Sequence, residues 1–209
     1  WRVGNAFEIW SVCFIGVSVA VFYCYVLFFG EAAYMKRNCL RKKADLNWQP
    51  VFYWFLGAAF FFFEYFARVD PSGMLDQIKD YFTLNNFQLG ELSAFFYLPY
   101  VVMQIPVGAL VDRHGPRRWL AVAALVSAIG ALFFSQAHYF WQAKWGRLLI
   151  GLGASFAFVG TLKLATIWFD KKHLGLLAGM TQGIGMLGAA VGVGSMPWLV
   201  EVFGWRYMM

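Results

Sequence analysis

Charge is scarce in this chain. Asp, Glu, Lys and Arg supply 13% of its 209 residues, about half the share of an ordinary soluble domain. So few charges cannot clothe a soluble fold in which 61% of residues are hydrophobic, and the composition reads as a membrane protein with the lipid bilayer as its surroundings. Cysteine is thin as well: Cys13 and Cys24 share one apolar run and Cys39 lies in a basic segment, a spacing that supports neither a disulfide framework nor a metal site. The three histidines, His114, His138 and His173, all fall where loops are expected. No paired carboxylates, nucleophile–base set, phosphate-cradling glycine loop or zinc-ligand spacing stands out, so neither an enzyme nor a resident cofactor or metal is expected. The net charge of +6 would suit nucleic acid only if it were gathered into a stripe or recognition motif. It is not, and nucleic acid is excluded as a partner.

What is present is apolar length. About 20 mostly apolar residues cross a bilayer as a helix, and six runs qualify, at roughly residues 9–29, 51–67, 92–111, 119–134, 148–168 and 174–200. The third carries Pro99 and Pro106, which membrane helices tolerate when neighbours take over the freed carbonyls. Pro71-Ser72-Gly73 is a turn signal after the second run, followed by a short amphipathic segment. The expected fold is all-α, a polytopic transmembrane helical bundle. Its parts are an extra N-terminal span of uncertain origin over residues 1–34, a basic segment over 35–50 and the main bundle over 51–209.

Lys and Arg orient the bundle. One set of connections holds Lys36, Arg37, Arg41, Lys42, Lys43, Arg113, Arg117, Arg118, Lys171 and Lys172; the other holds Arg2, Arg68, Lys79, Lys144, Arg147 and Arg206. The richer set marks the cytoplasmic side. The first run is too long for a signal-peptide core, and its charge follows rather than precedes it, so a retained helix is expected. It would run from outside to inside, the direction of a missing sixth bundle helix, and either fills that slot or touches the bundle at one edge.

The most specific motif joins the third and fourth runs: Gly108-Ala-Leu-Val-Asp112-Arg113-His-Gly115-Pro-Arg117-Arg118. Gly108 would let helices approach, Gly115 would allow a tight turn, and Asp112 is an anion set among arginines. This stretch resembles the loop between helices 2 and 3 of major facilitator superfamily transporters. Arg147 with Gly151 and Gly153, Trp168-Phe169 before Asp170-Lys171-Lys172, and Phe203-Gly204-Trp205-Arg206 resemble that family's helix 4, its loop into helix 5 and its lead into helix 6. The resemblance covers residues from about 50 onward. It implies the N-terminal half of a secondary transporter, in which Asp112 helps latch the cytoplasmic ends of two halves. It also implies that a C-terminal half or partner chain is needed to complete the cavity, and it suits a cell membrane such as the bacterial inner membrane. Many antiporters of the family carry Gly-Pro-x-x-Gly-Gly in helix 5; Gly188-Ala-Ala-Val-Gly192 stands here instead, which weakens a drug-efflux reading.

Ionisable groups inside spans point to function. Glu64 and Arg68 are four residues apart in the second run, the favourable order for an ion pair, and the segment from Glu64 to Ser72 resembles that of organic-anion and phthalate-type symporters. In one reading Arg147 and Arg68 bind a substrate carboxylate, with Tyr97 and Gln104 as polar cavity groups and Glu64 as the proton-coupling residue. The solute is then a small carboxylate or amino acid carried with a proton by symport. In the other, Glu64 and Arg68 form an interfacial pair while Arg147 snorkels to the surface. Lys163 either snorkels toward the cytoplasm or lines the cavity. A transport-inactive module built on a transporter half is the alternative from another class.

Overall fold

The computed structural model describes residues 48–203. The first apolar run, its fit beside the bundle, the basic segment, the three cysteines and Arg206 lie outside the described residues. Described are α1 (Trp48–Gly73), α2 (Leu75–Phe82), α3 (Asn86–His114), α4 (Pro116–Ser135), α5 (Phe140–Trp168) and α6 (Leu174–Phe203), with a 3-10 turn at Lys171–His173 before α6. All but α2 are long and apolar enough to cross a membrane, and the protein is an all-helical integral membrane bundle.

Local chemistry sets the breaks. Asn85 opens α3 with a reciprocal cap: its side chain accepts from the Gln88 N–H at 2.9 Å, and the Gln88 side chain accepts from the Asn85 N–H at 3.0 Å. This answers two of the donors a helix start leaves free. Gly115 turns the chain between α3 and α4 at φ 84°, a conformation open to glycine at little cost. Pro116 then starts α4, where its missing N–H does no harm. His114 ends α3 rather than lying in a loop.

One boundary differs from the sequence expectation. Pro71-Ser72-Gly73 does not turn the chain; α1 continues through it to Gly73. Proline has no N–H, so the carbonyl four residues back, that of Ala67, loses its helical donor. Arg147 of α5 supplies a substitute at 2.8 Å and reaches the Arg68 carbonyl at 3.4 Å.

The bundle is built around α5, which packs on α1, α3, α4 and α6. Lipid is as apolar as leucine, so helices associate through close packing and polar contacts rather than burial from water. Small residues give α5 that closeness: Gly146 lies against Gly130 of α4, and Gly151 lies against the Phe96 carbonyl of α3. On the other side α6 presents Gly188 to the Phe62 carbonyl of α1. The Trp54 Nε1–H donates to Thr181 Oγ1 at 3.1 Å and Gln182 Nε2 donates to the Tyr65 hydroxyl at 3.0 Å, so two polar links also join α1 to α6. Gly175, Gly179 and Gly183 on the same helix have no described neighbour. Met74, the N-cap of α2, and Ile78 within it are tucked among Met196, Val200 and Phe134.

Candidate functional site

Two clusters of charge are held by this frame, one around Glu64 of α1 and one at the turn from α3 to α4. Glu64 is only 3% exposed. Its Oε1 accepts a hydrogen bond from Ser127 Oγ of α4 at 2.6 Å, while Oε2 is buried without a hydrogen-bond partner among the described residues. The Glu64–Arg68 ion pair that the spacing suggests does not form. Arg68 turns its guanidinium onto aromatic faces instead, 4.5 Å from the Tyr65 ring centroid and 4.7 Å from that of Tyr100, with Phe96 at 5.6 Å and Tyr97 at 5.9 Å. Cation–π contacts of this kind stabilise a charge in surroundings that lack water. Arg68 Nε is buried with no hydrogen-bond partner among the described residues.

Arg147 does not snorkel. It is 2% exposed, with its guanidinium on the Ala67 and Arg68 carbonyls and 4.9 Å from the Phe96 ring centroid. Tyr97 is half-exposed at the edge of the aromatic ring set. Gln104, two turns further along α3, is exposed and makes no hydrogen bond with another described residue; the structure does not bring it to the charge cluster.

In the second cluster, Lys163 Nζ lies 2.6 Å from Asp112 Oδ1, so this lysine neither snorkels free nor lines the interior. It ties α5 to the end of α3. Arg117 lies 4.7 Å from the Tyr53 ring centroid and 5.3 Å from that of Trp168, two rings that stack on each other. Arg113 and Arg118 are exposed. Gly108 has nothing near the place a Cβ would occupy, so the close approach expected there finds no neighbour among the described residues.

Sequence reasoning passed over Ser127. The signal was there: it is the one polar side chain between Trp119 and Phe134. A lone serine in a span is usually bonded back to its own helix, and only the fold reveals that it faces Glu64.

The sequence profile described as Major Facilitator Superfamily matches residues 53–209, a range that takes in both charge clusters. The chain belongs to the major facilitator superfamily. It is similar to the lysosomal dipeptide transporter MFSD1 of Homo sapiens, with 29% identity over 66% of this chain and 30% of that protein. It is also similar to the probable sulfoacetate transporter SauU of Cupriavidus necator, with 28% identity over 70% of this chain and 34% of the relative. A third relative is the probable L-galactonate transporter of Escherichia coli, with 28% identity over 63% of this chain and 29% of its own length. The chain spans about a third of the length of these major facilitator relatives.

Proposed function

We propose that the chain forms half of a secondary active transporter that takes up a small carboxylate or amino acid together with a proton, by alternating access against a second half. The observation that carries the reading is Glu64: a buried carboxyl with one oxygen bonded to Ser127 and the other without a partner among the described residues. A charge left bare in such a place is costly, and a proton that comes and goes on the free oxygen answers the cost at each stage of a cycle. Arg68 supports the carboxylate part. Its guanidinium is held by rings rather than by an acid, so its fork stays available for a bidentate anion. The solutes named for the three relatives, a dipeptide, sulfoacetate and L-galactonate, all bear a carboxylate. Arg147, whose donors sit on the Ala67 and Arg68 carbonyls of α1, takes a supporting part in this reading, holding in place the helix that carries Arg68.

The test is transport in proteoliposomes by a protein that carries this half with a complementary one. Glu64→Gln should abolish pH-gradient-driven accumulation and leave solute exchange partly intact. Undiminished accumulation by this variant would overturn the coupling assignment. Absence of flux under every gradient would favour the transport-inactive module.

A further inference from the structure

We infer that Ser127 is the positioning residue of proton coupling: it anchors one oxygen of Glu64 so that the other alone carries the proton. The inference rests on the coupling role proposed for Glu64 and adds a residue on a different helix. Three observations converge on it. Ser127 Oγ is 2.6 Å from Glu64 Oε1, a short bond between side chains 63 positions apart. Among the described residues no other hydrogen bond reaches this carboxyl, and Oε2 has none. The third observation is the notch that holds the hydroxyl. A Cβ at Gly153 of α5 would run into Ser127 Oγ and the Ala123 carbonyl, so the missing side chain makes the space in which the serine turns toward α1.

Each step of the cycle then has a defined place for the proton. In the loaded form the proton is bonded to Oε2, and Oε1 accepts from the Ser127 O–H. On release the Oε2–H bond breaks, the proton passes to water and the electron pair stays on the carboxylate. The Ser127 hydroxyl keeps donating to Oε1 and is, among the described residues, the one neutral side-chain donor on the charge. The arginines of the cluster, Arg68 from the same helix and Arg147 from α5, are both engaged elsewhere, Arg68 on rings and Arg147 on carbonyls. Without the serine the emptied form loses its direct hydrogen bond, and release becomes the slow step. A hydroxyl serving only as helix packing would instead bond the carbonyl one turn back, and its loss would weaken every activity alike.

The experiment compares wild type, Ser127→Ala and Ser127→Thr in proteoliposomes, each in a protein that carries both halves, using a panel of radiolabelled small carboxylates. Proton-driven accumulation and solute exchange are measured side by side, with thermal unfolding as the control for folding. Ser127→Ala should lower accumulation roughly tenfold, the scale of one hydrogen bond to a charged group, while exchange stays within about twofold and Ser127→Thr recovers most of the loss. Equal loss of both activities in Ser127→Ala, or accumulation equal to wild type, would overturn the inference. If Glu64→Gln abolishes accumulation and Ser127→Ala does not alter it, the coupling role of Glu64 stands and only the role of Ser127 falls. If Glu64→Gln also accumulates normally, both fall.

Discussion

Arg147 shows how a side chain on one helix can complete the backbone of another. Pro71 leaves the Ala67 carbonyl without its helical donor, and the Arg147 guanidinium fills the gap at 2.8 Å. Removing it should therefore hurt α1 before it hurts binding. Arg147→Ala is expected to destabilise the bundle by roughly 1–3 kcal/mol, the cost of a buried acceptor left unsatisfied, seen as a lower unfolding temperature in detergent. Pro71→Ala restores the backbone N–H, so the double variant should lose less than Arg147→Ala does alone. Equal losses in both backgrounds would refute the repair. Arg68 answers a different test. Arg68→Lys keeps the charge but not the planar fork, and should raise KM for a carboxylate solute by roughly tenfold with little change in stability.

Helices that pack through glycine are sensitive to a side chain at some positions and indifferent at others, and α6 carries both kinds. At Gly188 a Cβ would strike the Phe62 carbonyl of α1, whereas at Gly179 it would meet nothing described. Gly188→Val should therefore cost about 1–3 kcal/mol through overpacking, while Gly179→Val leaves the thermal unfolding of this half unchanged. The contrast also marks what was legible in the sequence. The five described spans were, because uninterrupted apolar length is a property of each segment alone. The α3–α4 turn was too, because Gly115 and Pro116 act within a few residues. Which face of α6 packs was not, since glycines at residues 175, 179, 183, 188 and 192 look alike until α1 is beside them. The end of α1 was misplaced for a related reason: Pro71 reads as a stop unless a donor 76 positions later is known to replace its N–H. In the charge cluster, the candidate residue types were legible while their pairings were not. Glu64 and Arg68 look like partners at helical spacing, yet each finds a better neighbour on another helix, Ser127 in one case and the rings of Tyr100 and Phe96 in the other.

At the scale of the whole molecule, the end of the bundle that carries Asp112 bears on the proposed movement between halves. The family resemblance implies that Asp112 latches this half to its counterpart in the outward-open state. Here Asp112 is held by Lys163 at 2.6 Å, although its side chain is 64% exposed. A carboxylate that open can exchange partners, because a surface ion pair contributes only about 0–1 kcal/mol and a competing donor needs little advantage. Lys163 is then a rival of the second half for the same carboxylate. Lys163→Met should release Asp112 and increase the outward-open population, whereas Asp112→Asn should decrease it. A rise of roughly two- to fivefold corresponds to losing a pair worth up to about 1 kcal/mol. The charge swap Asp112→Lys with Lys163→Asp rebuilds the pair within this half but presents a cation to the second half, so it should resemble Asp112→Asn rather than wild type. Accessibility labelling of cysteines placed on the two faces of a protein carrying both halves reads the populations directly. If Lys163→Met leaves them unchanged while Asp112→Asn shifts them, the lysine is a bystander to the latch. If the charge swap restores the wild-type balance, the pair within this half is what matters, and Asp112 has no partner across the interface.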